Sequence, residues 1–226
     1  MSRHDKICGM YSRLPIYGLI LIFVLAVVAC GLPSITAPVS AIPSGTTLFK
    51  DDFSSPASGW DHTKYEEGMK DYDSGGYRIL VNALQVNLWS TPHKDFSDVR
   101  IEVDAGKLAG PDENRIGLIC RSNGSSYYFF IMSSDGYYGL GIFTGGQAAL
   151  LGLSEMQSSD KIITGTAINH LRADCNGDDL AFYINGSKLA DVHDPTLQHG
   201  DVGLLAGSFN QPGVDIVFDN FVAIKP

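Results

Sequence analysis

Basic residues are the minority charge in this 226-residue chain: 16 Lys and Arg stand against 25 Asp and Glu, giving a formal charge of −9. So few cations provide no broad basic face to displace counterions, which excludes a non-specific nucleic-acid binder. Charged residues are only 18% of the chain and hydrophobics 44%, so neither disorder nor a coiled coil fits. No convincing helix-period stretch follows residue 46. Catalytic signatures are also missing. There is no Gly-x-Ser-x-Gly elbow and no His-Glu-x-x-His, and Gly145-Gly146 lacks the Lys-Ser/Thr of a phosphate loop. What the chain does have is 25 Gly, 10 Pro, 10 Tyr and 11 Phe, a composition of turns and strands.

The N-terminus carries Arg3, Lys6 and Arg13 against Asp5, followed by an apolar run from Leu14 to Ala29. A basic region, an apolar core and small residues before a cut are the parts of a secretory signal. An uncleaved anchor is the alternative, because the run spans roughly 24 Å at about 1.5 Å per residue, not far short of a ~30 Å hydrocarbon core. Both readings hold the positive end in the cytoplasm and place the rest outside. Leu25-Ala-Val-Val-Ala-Cys30 resembles a bacterial lipobox. The resemblance implies diacylglyceryl attachment to the Cys30 sulfur, cleavage before it and acylation of the new N-terminus. Residues 1–29 are thus expected to be a lipoprotein signal peptide. Residues 30–46, with Pro33, Pro38 and Pro43 and no charge, form an extended tether. Loss of residues 1–29 leaves a body of charge −11, which anionic headgroups repel, so attachment comes from the lipid. The expected location is the bacterial cell membrane, on its extracytoplasmic side.

Cys8 falls in the discarded segment and Cys30 is taken by lipid, which leaves Cys120 and Cys175. Neither has a Cys or His at metal-ligand spacing, which argues against zinc. An even pair in an exported domain is expected to form a disulfide, with two buried thiols as the alternative.

From Thr47 to Pro226 the chain reads as one domain of short strands. Val99, Ile101 and Val103 alternate with polar neighbours over 98–104, and residues 115–121 alternate again. Tyr127–Met132 and Tyr137–Phe143 are aromatic runs. Between strands lie Asn123-Gly124, Asp135-Gly136, Gly145-Gly146, Asn176-Gly177 and Asn185-Gly186, pairs that accept the positive φ of tight hairpins. Residues 201–206 and 214–224 close the series. Several strands pair a charged face with an apolar one, which predicts an all-β fold of two packed antiparallel sheets rather than a closed barrel.

The order Leu48-Phe-Lys-Asp-Asp-Phe53, Ser58-Gly-Trp60, Gly117-Leu-Ile-Cys-Arg121, Tyr127-Tyr-Phe-Phe130, Leu180-Ala-Phe-Tyr-Ile-Asn-Gly186, Gly200-Asp-Val-Gly-Leu204 and Val217-Phe-Asp-Asn-Phe221 resembles the concanavalin A-like lectin/glucanase superfamily. Its Ile-Asn-Gly and Gly-Asp-Val-Gly-Leu elements are laminin-G-like. The resemblance covers most of residues 47–226. It implies a jelly-roll-type sandwich with a concave sheet that often binds carbohydrate, and it does not imply catalysis.

Family 16 glycoside hydrolases share that fold and carry a Glu-x-Asp-x-x-Glu strand. Here Glu102-Val-Asp104 runs into Ala105-Gly106-Lys107, so the second glutamate is missing and Glu102 and Asp104 are weak catalytic candidates. Arg100, Glu102, Asp104, Arg115, Arg121, Arg172 and Asp174 all sit opposite the apolar parity of their strands. They form either a solvated ladder of cross-strand pairs or a sugar-binding face. Tyr127, Tyr128, Phe129, Phe130, Tyr137 and Tyr138 could supply a stacking aromatic, though strand aromatics are mostly core. Asp51 and Asp52 near the start, with Asp219 near the end, suggest a structural Ca²⁺ tying terminal strands, or acids that simply solvate strand ends. His170, His193 and His199 read as surface residues. The sequence therefore predicts a non-catalytic, lipid-anchored extracytoplasmic module whose partner is a polysaccharide or cell-envelope glycan. The alternatives are a divergent glycoside hydrolase using Glu102 and Asp104, or a structural or sensory envelope lipoprotein with protein partners.

Overall fold

Every strand pairing in the computed structural model is antiparallel, and the residues described are 41–226. The segment expected to be a signal peptide, Cys30 and residues 31–40 of the expected tether lie outside them. Ala41–Pro226 forms one compact unit with its own core, and no helix occurs among the described residues.

Two sheets make the body. The first runs β14 (Ser187–His193), β13 (Asp179–Ile184), β12 (Asn169–Asn176), β6 (Val99–Ala109), β16 (Val214–Ile224), β4 (Gly76–Val81), β3 (Gly68–Asp73) and β2 (Thr63–Tyr65). The C-terminal half of β16 also takes β1 (Thr47–Asp51), with Thr47 opposite Ile224 and Asp51 opposite Phe221. The second runs β10 (Gln147–Leu150), β9 (Tyr137–Thr144), β8 (Tyr127–Met132), β7 (Asn114–Ser122), β15 (Asp201–Ser208) and β5 (Asn87–Ser90), with β11 (Gln157–Ser158) also against β9.

Strand parity builds the core between the sheets. Val99, Ile101 and Val103, with Leu171 and Ala173 and with Leu180, Phe182 and Ile184, point inward from the first sheet. Ile116, Leu118, Tyr128, Phe130, Leu140 and Leu204 meet them from the second. Strands with one inward parity can close only by facing a second such sheet, because each leaves an apolar face to cover. Cys120 on β7 and Cys175 on β12 are disulfide-bonded, so the bridge joins the two layers. The expected turns are also in place: Gly145 and Gly146 both have positive φ, as do Asn185 and Gly186, the geometry that two-residue hairpins need.

The Lys50-Asp51-Asp52-Phe53 and Trp60 motif proves to be packing. Asp51 is buried and accepts the Trp60 indole N–H at 2.9 Å and the Phe53 amide at 2.8 Å. Trp60 in turn meets Phe221 edge-on at 5.0 Å, which clamps β1 and the following loop onto β16.

Candidate functional site

The seven polar residues expected to share one face are split by the fold. Arg100, Glu102 and Asp104 on β6, with Arg172 and Asp174 on β12, lie on the outer face of the nine-stranded sheet, in register as Asp174–Arg100, Arg172–Glu102 and His170–Asp104. That face is closed by its own pairs. Arg172 places Nε and Nη2 on Asp174 at 2.8 and 2.5 Å, and Arg100 Nε adds a bond at 3.1 Å. The Arg172 guanidinium also lies 4.2 Å from the Tyr183 ring centre. His170 spans the two catalytic candidates, with Nδ1 2.8 Å from Asp104 and Nε2 3.5 Å from Glu102. Asn220 donates to the other Asp104 oxygen at 3.0 Å.

Arg121 departs furthest from the expected face. Its backbone has φ +53°, which turns the side chain inward, and it is 1% exposed. The guanidinium donates to the carbonyls of Ser97, Leu197 and Gly177, and burial pushes it below its usual value. It is a strut between loops. His193 and His199 are exposed and pair with Asp179 and Asp95 at 3.0 and 2.9 Å. Asp51, Asp52 and Asp219 are not brought together: no group of three or more His, Cys, Asp or Glu placed for a metal occurs among the described residues. Asp52 accepts from Ser54, and Asp219 from the Asn220 amide.

Arg115 stands on the other sheet, and its surroundings differ in kind. The outer face of the seven-stranded sheet is apolar, contrary to the expectation that each sheet buries only one side. Ile119, Tyr127, Phe129, Ile131 and Leu205 form a second buried cluster there, joined by Trp89, Phe143, Leu150 and Met156. Glycines make room for it. Leu205 and Ile131 both stand opposite Gly117, Phe129 stands opposite Gly141, and Ile119 opposite Gly203. Bulky outward side chains can therefore lie flat over a neighbour that has none. The result is a cleft of about 260 Å³, lined among others by Asn87, Arg115, Tyr127, Phe129, Phe143 and Leu205.

Tyr127 stacks on Phe143 at 5.1 Å and 17°, and Trp89 tilts against Tyr127 at 5.4 Å. Burial pushes the Tyr127 phenol up to about 12, so it stays a neutral O–H at physiological pH. Arg115 reaches across β15 to Asn87, its Nη1 donating to Asn87 Oδ1 at 2.9 Å and to the Ser208 carbonyl at 2.8 Å. Gly207 lies between Arg115 and Asn87 in the ladder, and a Cβ there would fall 2.1 Å from Asn87 Oδ1. A glycine at 207 is thus what allows this cross-strand reach. Aromatic faces beside a guanidinium, an amide and a phenol can stack on an apolar ring face while hydrogen-bonding hydroxyls at its edge.

Sequence reasoning found Arg115, Tyr127 and Phe129 without placing them together, and it missed Asn87, Trp89, Phe143 and Phe209. A usable signal was present. The run Tyr127–Met132 has no polar parity at all, which marks a strand covered on both faces.

Neither family models nor curated protein sequences give a match to this chain. Solved structures do. The chain is similar to a carbohydrate-binding module, CBM66, from Bacillus subtilis (TM-score 0.52, 20% identity, 74% of this chain and 96% of that one). It is similar to a protein of unknown function with a galectin-like fold, also from Bacillus subtilis (0.60, 13%, 81% and 97%). It also resembles the catalytic domain of an endo-1,3-beta-glucanase (laminarinase) from Thermotoga petrophila (0.57, 8%, 81% and 98%). The fold is accordingly the concanavalin A-like β-sandwich.

Proposed function

We propose that this chain is a lipid-anchored, extracytoplasmic carbohydrate-binding module without catalytic activity. The observation that carries the reading is the cleft on the seven-stranded sheet, where Tyr127 and Phe143 stand beside Arg115 and Asn87, with Trp89 packed against Tyr127. The neighbours named as a carbohydrate-binding module and a glucanase support a carbohydrate as the ligand class. The cleft lining includes no carboxylate, while Glu102 and Asp104 lie on the other sheet's outer face, bridged by His170. That separation supports binding rather than hydrolysis, which needs two carboxyls astride the bond about 5–5.5 Å apart in the retaining case.

A glycan array with the 41–226 fragment, which carries its own core, tests the reading. Retention of at least one glycan is expected. Phe143→Ala and Tyr127→Ala should each weaken it by about tenfold, the scale of an aromatic platform contributing ~1–1.5 kcal/mol. Glu102→Gln should leave it unchanged. No retention by any glycan, or sugar release abolished by Glu102→Gln, rejects the proposal.

Anchoring is tested separately. In the full-length protein expressed in bacteria, Cys30→Ser should prevent incorporation of radiolabelled palmitate. Equal labelling of the variant would show that Cys30 is not the acylated residue.

A further inference from the structure

We propose that the Arg115 guanidinium is a carboxylate-recognition point in the cleft, so that the bound glycan carries an acidic sugar unit within a mostly neutral chain. The inference rests on the glycan-binding reading and specifies its ligand.

A guanidinium has five N–H donors, and the two on Nη1 are taken by Asn87 and the Ser208 carbonyl. The flat side of the group lies 3.8 Å from the Phe209 ring centre. Nε and Nη2 hydrogen-bond nothing among the described residues. They are not sealed away, because no fully buried side-chain nitrogen or oxygen among those residues lacks a partner. Arg115 is among the residues that line the cleft, and its unpaired, parallel Nε–H and Nη2–H edge is the part assigned to a ligand seated there.

The same protein shows what that edge prefers. Arg78 sets Nε and Nη2 on the two oxygens of Asp215 at 2.7 and 2.6 Å, and Arg172 grips Asp174 in the same way. Arg100 pairs with Asp174, and Arg121 has Asp98 at 4.0 Å. Arg115 alone among the described arginines has no carboxylate within 4.0 Å; Glu113 acts on it only from beyond that distance, and burial pushes the guanidinium pKa below its usual value. A partly desolvated cation gains most from a charged, fork-matched acceptor, and the carboxylate of a uronic or sialic acid unit is the sugar group that supplies one.

Two features limit the ligand to sparse acidity. The body is strongly acidic overall, and Phe209, against which Arg115 lies, lines a separate pocket together with Glu113 and Asp135. Both repel a continuous polyanion, whereas a single carboxylate at Arg115 is shielded from distant charge by a Debye length of about 8 Å at 0.15 M salt.

Calorimetry with the 41–226 fragment at 0.15 M salt tests this. The probes are glucuronoxylan oligosaccharides and sialyllactose, each beside its carboxyl-reduced neutral counterpart. At least one acidic member should bind about tenfold or more tighter than its neutral partner. Arg115→Gln should abolish the preference, and Arg115→Lys should lose most of it, since an ammonium has no fork. The ligand-side comparison leaves the protein untouched, so it stands even if an Arg115 variant folds poorly. Equal binding of both members of every pair, or a preference that survives Arg115→Gln in a folded variant, overturns the inference while glycan binding itself stands. Failure to bind any glycan removes both.

Discussion

A Cys120→Ala/Cys175→Ala variant of the 41–226 domain should unfold roughly 8–16 °C below the oxidised protein. The bridge spans 55 positions, and the chain-entropy estimate for such a loop is about 4 kcal/mol. In a domain of this size each kcal/mol moves the midpoint by about 2–4 °C. The bond joins β7 to β12 across the core, so it adds a covalent tie to layers otherwise held by side-chain packing and a few hydrogen bonds such as Tyr77 to Ser90. Both cysteines are fully buried, so a reductant added to the folded protein should act only near the unfolding midpoint. Calorimetric scans with and without reductant provide the measurement. A double variant that melts with the oxidised protein would mean that the bond adds nothing to stability.

Arg121→Met is the second large effect, with an expected loss of about 3 kcal/mol or more. The side chain satisfies three backbone carbonyls drawn from separate loops, those of Ser97, Leu197 and Gly177. Methionine keeps much of the volume but none of the donors, and each buried acceptor left bare costs about 1–3 kcal/mol. Arg121→Lys should fall between the two, because a single ammonium cannot reach three diverging carbonyls in one plane. Urea titration reports the free energy, and faster proteolytic cutting within 194–200 reports the loosened loop. Unchanged values in both would show that these bonds are replaced at no cost by water. Arg121 adjoins Cys120 in sequence, so the two losses should not add when the variants are combined.

Much of the fold could be read from residues alone because alternation is local. The strands at 98–104, 127–132, 137–143 and 214–224, and the hairpin glycines between them, fall where the period-2 pattern and positive-φ pairs put them. The site could not, because sheet membership is not local. Arg100 and Arg115 have the same parity relation to their strands, yet β6 pairs with β12 and β16 while β7 pairs with β8 and β15, and the two arginines end on opposite outer faces. Alternation assigns a residue to a side of its strand without saying which sheet that strand joins. Arg121 escaped the parity argument altogether, since one left-handed residue at the end of β7 reverses the direction of its side chain. Asn87 and Trp89 lay in a stretch, 63–90, whose strands are only three to six residues long, too short for alternation to mark their faces.

The paired glycines of the seven-stranded sheet bear on how such a protein diversifies. A methyl group at Gly117, Gly141 or Gly203 would come within 2.3 Å of a neighbouring carbonyl oxygen, so these sites accept no gradual enlargement. Variation among descendants of this chain is therefore channelled to the rim, where Gln85 and Ala148 are solvent-facing. New ligand preferences should arise by exchanging those two residues over an unchanging base.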